Sequence, residues 1–289
     1  MSFEIPIAFV DQFSANIQHL SQQKGSVLAP LVDVETIKGE QAFFEQIAAV
    51  EARERLTRHG DSPLISTPHA RRRVTQTDYE WGDMIDNQDK LRMLIDPSSD
   101  YIKAANMAFG RTKDDIIIDA ALGTAYTGHR GATAVALPAG QIVPVGTTGL
   151  SLAKLISAKS LFGKNEVDTS SGLNIVVSQQ QIDDLLNEDE VVNADYATVK
   201  ALVCGEINTF MGFTFHRTER LPLATATDVR SCFAFVRDGI KLGVGQDIKA
   251  EVAKRADKGF NWYAYVCMSL GCTRMEEVKV VQIECDESP

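Results

Sequence analysis

The strongest periodicity in the chain lies in DPSSDYIKAANMAFGRTKDDIIIDAALG, where Ile102, Ala105, Phe109, Ile116 and Ala120 recur mostly at spacings of three and four. That spacing gathers apolar side chains on one stripe of a helix. Ser98 or Ser99, after Pro97, supplies the N-cap, Asp100 falls in the positively polarised first turn, and Gly123 offers a stop. At 1.5 Å per residue the rod is roughly 38 Å long. Gly110 inside it costs about 1 kcal/mol relative to Ala. The expectation is that another segment packs closely there.

Around this helix the pattern changes several times. Residues 1–38 are weakly patterned; Phe9 to Leu20 offers a short helix, and the segment reads as an arm ordered by a neighbour. The stretch from Arg58 to Asp89 is polar, holds two prolines and cannot bury much surface alone. VTQTDYEW within it alternates like a strand, which predicts a long projecting hairpin. GATAVALPAGQIVPVGTTG reads as short strands and turns. SLAKLISAKSLFG is a short helix with Ser151 as cap and Gly163 as stop. LNIVVSQQQIDDLLN is a strand running into a helix, with Ser178 and Gln181 at capping-box spacing.

ATVKALVCGEI predicts a further helix, followed by a strand in which Met211, Phe213 and Phe215 share a face and His216 takes the other. SCFAFVRDGIKLGVG, NWYAYVCMSLGCTR and EEVKVVQIEC are β-rich. The fold class is α+β, with late strands far in sequence from the long helix.

Charge narrows the function classes. With 29 basic and 39 acidic side chains the net charge is −10, the wrong sign for general nucleic-acid binding. The five cysteines, 204, 232, 267, 272 and 285, form no CxxC pair and sit in strand-like or helix-like flanks, as packed thiols do. No signal-peptide pattern and no apolar run of membrane-spanning length is present, so the expectation is a soluble product of a cytoplasm.

Catalytic signatures are missing: there is no GxSxG, HExxH or GxxxxGK[ST]. LGVGQD supplies GxG without a third glycine and reads as a turn between strands. The histidines, 19, 59, 69, 129 and 216, share no metal-ligand spacing. Asp114 and Asp115 point about 100° apart on a helix. They read as a solvated face, with Arg111 and Asp115 as an i,i+4 pair. No catalytic, cofactor-binding or metal residue is assigned. Arg71, Arg72 and Arg73 stand out as three successive guanidiniums. Three readings stay open: nucleic-acid contact, docking on an acidic partner surface, or a solvated run.

In order and phrasing these parts resemble the major capsid proteins of tailed double-stranded DNA bacteriophages, of the Hong Kong 97 type. The resemblance is carried by DPSSDYIKAANMAFGRTKDDIIIDAALGTAYTG, NIVVSQQQIDDLL, ALVCGEINTFMGFTFHRTERLP and SLGCTRMEEVKVVQIEC. It implies an N-terminal arm (1–38), an extended β-hairpin loop region (39–96) centred on 58–89, and a peripheral domain (97–150) with a spine helix (98–125). It further implies an axial domain (151–255) and returning peripheral-domain strands (256–289).

The function so implied is structural, without enzyme activity: self-assembly into hexamers and pentamers of an icosahedral phage head around double-stranded DNA. The expected partners are further copies of the chain, a separate scaffolding protein, a portal protein and a decoration or cement protein. DNA is packaged without sequence-specific binding, and no membrane or cofactor is involved. A scaffolding segment fused ahead of the arm, as in some relatives, has no room here. Some relatives crosslink through a lysine in the extended loop; residues 58–89 contain none, so cohesion is expected to be non-covalent, with Arg71, Arg72 and Arg73 as inter-subunit contacts. The alternatives are an encapsulin-like nanocompartment shell and a soluble enzyme using His216 or the GxG turn.

Overall fold

In the computed structural model of the protein the described residues are 22–54, 58, 62, 64–85, 98–187, 209–225 and 227–287. The helices expected at Phe9–Leu20 and in ATVKALVCGEI lie outside them, as do His19, His59, Cys204 and the side chains of Ser98, Ser99 and Asp100.

The chain order begins β1 (Asp33–Thr36), β2 (Gln41–Ile47), β3 (His69–Thr75), β4 (Thr77–Ile85) and the long helix α1 (Ser98–Leu122). It continues β5 (Ala125–Thr127), β6 (Thr133–Val135), β7 (Ile142–Val143), α2 (Leu152–Lys164), β8 (Leu173–Val177) and α3 (Gln179–Asn187). The later elements are β9 (Thr209–Phe210), β10 (Phe213–Arg217), β11 (Leu223–Ala224), β12 (Val229–Val236), β13 (Ile240–Arg255), β14 (Asn261–Arg274) and β15 (Val280–Asp286).

A seven-stranded sheet in the order β7-β15-β12-β8-β10-β9, with β11 also on β12, holds the main core. β8 with β10 and β7 with β15 are parallel; the other pairs are antiparallel. Its central strands are near-continuous apolar runs. Ile175, Val176 and Val177 of β8 and Cys232 to Val236 of β12 are fully buried, as expected of strands covered on both faces. Leu155, Ala158 and Phe162 of α2 and Leu185 of α3 join this core. The side chain of Ser151 accepts from the Lys154 amide at 3.3 Å and caps α2. The Ser178 amide donates to Gln181 Oε1 at 3.0 Å, one half of the capping box at the start of α3. A second sheet runs β2-β3-β5-β6, and a third β1-β13-β14-β4.

The chain divides into two compact units. The larger comprises described residues of 27–77, 112–245 and 269–287 and contains the seven-stranded sheet and the β2-β3-β5-β6 sheet. The smaller comprises described residues 22–26, 78–85, 98–111 and 246–268. In it, Tyr263 and Tyr265 stack with ring centroids 6.1 Å apart, and the Tyr265 hydroxyl donates to Glu80 Oε2 at 3.1 Å. Among the described residues no helix is long and apolar enough to cross a membrane.

Three expectations are corrected. The hairpin is formed by β2 and β3, paired from Gln41↔Thr75 to Ile47↔His69, not by a loop centred on 58–89. The alternation in VTQTDYEW runs across two strands parted at Gln76, whose amide donates to the Glu40 carbonyl at 3.0 Å. The GxG of LGVGQD lies inside β13 rather than in a turn. A Cβ at Gly243 would stand 2.6 Å from Ile37 Cδ1, and one at Gly245 would overlap the Gln76 side chain, so these glycines admit close neighbours. Finally, the buried hydrophobic positions among the described residues of α1 are Ala105, Phe109, Ile117, Ile118 and Ala121; Ile102, Ile116 and Ala120 are only half-buried.

Candidate assembly surface

Successive residues of a strand point to opposite faces of its sheet. The three arginines of β3 are therefore divided. Arg72 points inward with Phe44 and Val74, beside a small apolar cluster that includes Ile37 and Met275. Its Nε donates to the Met275 carbonyl at 2.8 Å, and its Nη2 donates to both carboxylate oxygens of Glu277 at 2.6 and 2.7 Å. This guanidinium ties β3 to the segment after β14 within one subunit, and a half-buried carboxylate neutralises it.

Arg71 and Arg73 point outward. In register across the sheet, Phe43, Arg73 and Tyr126 form one row, and Glu45 and Arg71 form the next. The Arg73 guanidinium lies 4.7 Å above the Tyr126 ring, and that of Arg71 lies 5.7 Å from the Phe43 centroid. Gly131, at φ 62°, backs the Arg73 side chain; a Cβ there would come 2.6 Å from Arg73 Cβ and Cδ. Arg73 is thus held between a ring and a glycine, with its Nε buried and unbonded. Glu45 approaches Arg71 at 3.6 Å, an exposed pair of little energetic weight. Phe43, Tyr126 and Ile47 stay exposed on the same subunit.

A second feature went unread in the sequence. Asp114 is fully buried, and its carboxylate accepts from the backbone amides of Val27 at 3.1 Å and Leu28 at 3.0 Å. It holds the start of the short 3-10 helix Ala29–Leu31, whose N-cap residue Leu28 makes no side-chain cap of its own. The signal was a polar gap in the stripe between Phe109 and Ile117. Asp115 pairs bidentately with Arg220, not with Arg111, which donates to Gln22 Oε1 at 2.8 Å. At Gly110 a Cβ would fall 2.5 Å from the Gly25 carbonyl carbon, so the expected close packing at this glycine is present. Arg274, fully buried, donates to the carbonyls of Ala121, Gly123 and Val135 and so satisfies the C-terminal end of α1.

The residues singled out for possible chemistry are engaged otherwise. His216 Nε2 lies 3.1 Å from Asn174 Oδ1 on the neighbouring strand, and burial pushes its pKa below the ordinary value. Met211 and Gly212, both at positive φ, turn the chain between β9 and β10. Cys232 and Cys285 are fully buried; a hydrogen bond to Cys285, then burial, pushes the Cys232 thiol well up, away from the reactive thiolate. Lys154, also buried, donates from Nζ to the carbonyls of Thr148, Gly149 and Glu284 at 2.6 to 2.9 Å, and burial lowers its pKa. Among the described residues no three of His, Cys, Asp and Glu gather as a metal-ligating group.

Comparison with known proteins follows the same line. The family model described as phage capsid protein matches residues 5–287. A capsid structure of cyanophage P-SCSP1u shares the fold at 17% identity and a TM-score of 0.76, covering 100% of this chain and 96% of that one. The head structure of Helicobacter pylori bacteriophage KHP40 aligns at 9% identity and a TM-score of 0.74, over 100% of this chain and 99% of that one. The capsid of Ralstonia phage GP4 aligns at 10% identity and a TM-score of 0.73, over 97% of each chain. Comparison with curated proteins finds no match. At such identities the structural likeness speaks for the fold, and the family match, which runs almost end to end, places this chain in the phage capsid protein family.

Proposed function

We propose that copies of this chain assemble into the hexamers and pentamers of an icosahedral phage head that encloses double-stranded DNA. The observation that carries this reading is the agreement of fold over the whole chain with proteins from solved phage heads. In these terms residues 1–38 are an arm and 39–96 an extended loop region, while 97–150 and 256–289 build a peripheral domain and 151–255 an axial domain. Arm and loop reach neighbouring copies, so the shell stabilises the subunit by mass action. The subunit does no catalysis. It is made in the bacterial host cytoplasm and resides in the virion.

Its helpers are a separate scaffolding protein, a portal protein and a decoration or cement protein. The DNA is contained rather than read, and the net charge of −10 keeps a polyanion from adhering generally. Contact between copies is non-covalent, with Arg71 and Arg73 facing out and Arg72 holding the sheet from within.

Electron microscopy of protein co-expressed with its scaffolding protein provides the test. Closed shells of uniform diameter, built of hexamers and pentamers, are expected. Only small oligomers at every concentration would sink the proposal, and native shells filled with cargo enzyme instead of nucleic acid would move it to a nanocompartment.

A further inference from the structure

The outward face of the β2-β3-β5-β6 sheet combines properties that do not belong together on an idle surface. Arg71 and Arg73 are both set against aromatic rings, Phe43 and Tyr126, and those rings are 38% and 39% exposed. Ile47, further along the same face, is 66% exposed. No hydrogen bond or carboxylate partner reaches the Arg73 guanidinium among the described residues, although Tyr126 and Gly131 fix its position. Arg130, in the turn beside Gly131, is exposed as well. Against these cations the four strands of the sheet carry a single carboxylate, Glu45. Arginine, tyrosine, phenylalanine and isoleucine without lysine is the composition of a protein-binding hot spot. A guanidinium already stacked on a ring loses little freedom when it meets a carboxylate.

We infer that this face, through Arg71 and Arg73, docks a carboxylate-bearing segment of a second copy of this chain. Charge decides the occupant. The face is locally cationic, whereas the chain as a whole carries −10, so another copy is the anionic partner present at the highest concentration during assembly. The exposed apolar side chains beside the arginines favour a protein surface over a nucleic-acid backbone, whose contacts are made by Lys and Arg with polar groups. Arg72, bound to Glu277 and Met275, takes no part. The inference rests on the proposed head assembly and names the chemistry of one of its contacts.

The experiment compares assembly of the wild-type chain with Arg71→Glu/Arg73→Glu, Arg71→Gln/Arg73→Gln and Arg71→Lys/Arg73→Lys chains. Particle yield is read by sedimentation, and the fold of the unassembled subunit by thermal unfolding. The Glu pair is expected to lower yield at least tenfold and the Gln pair by less, with the subunit's Tm essentially unchanged. The Lys pair is expected to recover part of the yield. Because the Gln pair removes charge without adding repulsion, it decides the matter if the Glu pair folds poorly. Equal yield from wild type and the Gln pair overturns the inference while leaving head assembly intact. Failure of the wild type itself to form particles overturns both. Salt-sensitive binding of a DNA duplex that is lost in the Gln pair, with assembly unaffected, assigns the face to nucleic acid and also overturns it.

Discussion

Asp114 shows how one side chain sets the packing of a segment distant in sequence. A buried carboxylate is tolerated only with donors around it, and Val27 and Leu28 supply two backbone amides. Asp114→Ala leaves those amides buried without an acceptor, at a cost of about 1–3 kcal/mol. Urea unfolding of the unassembled subunit is expected to show a lower midpoint at unchanged slope. Asp114→Asn, which keeps one acceptor oxygen, is expected to lose less. An unchanged midpoint for Asp114→Ala would show that the segment around Val27 and Leu28 is held by its apolar residues alone. At this scale the sequence was legible where the partner is local. Ser151 capping Lys154 and Ser178 with Gln181 are three-residue relations, and both are in place. Asp114 was misread as solvated because its partners lie more than eighty residues away. Arg72 was inseparable from Arg71 and Arg73 for the same reason, since Glu277 is its counterion.

Among elements, the same division separates α1 from the strands. The helix ends at Leu122, and a Cβ at the next residue, Gly123, would overlap the Asp119 carbonyl oxygen, so the stop read in the sequence falls where only glycine fits. The strands are recognisable as strands, but their partners are chosen by distant packing. β15 illustrates this: its sheet neighbours are β7 and β12, and its exit is pinned just beyond its last residue. There Glu287 accepts from Arg230 Nε at 2.5 Å and Nη2 at 2.9 Å, from Gln181 Nε2 at 2.6 Å and from Ser178 Oγ at 3.2 Å. Burial raises its pKa, but the bonds to Arg230, Gln181 and Ser178 outweigh burial and hold the carboxyl below its ordinary value. A carboxyl with a depressed pKa binds fewer protons folded than unfolded. Its contribution is therefore present above the unfolded value near 4.5 and fades as pH falls through the folded value. Asp184 nearby is shifted up, mainly by burial and then by Glu287, and its effect has the opposite sign. The Tm difference between wild type and Glu287→Gln isolates the pair: it is expected to be largest at neutral pH and to shrink below about pH 4.5. A difference that stays constant to pH 3 would assign the effect of the substitution to packing instead.

On the scale of the whole molecule, the β2–β3 hairpin leaves apolar side chains that its own subunit does not cover. Leu64 is 101% exposed, Ile47 66%, Val50 52% and Ile65 46%. A lone exposed leucine is ordinary on a protein surface. Four such residues on one hairpin, in a chain that belongs to a capsid family, point to burial between copies. That distinction yields a double expectation for Leu64→Asp. The isolated subunit loses no contact, so its stability is expected to stay within about 0.5 kcal/mol of wild type. In the shell, each copy is expected to lose roughly 2 kcal/mol of buried apolar surface and to place an unpaired carboxylate there. Because every 1.4 kcal/mol is tenfold in an equilibrium constant, the subunit concentration needed for shell formation is expected to rise more than tenfold. Sedimentation across a concentration series reads that threshold directly, with thermal unfolding of the unassembled subunit as the control. An unmoved threshold would mean that Leu64 stays in solvent in the shell.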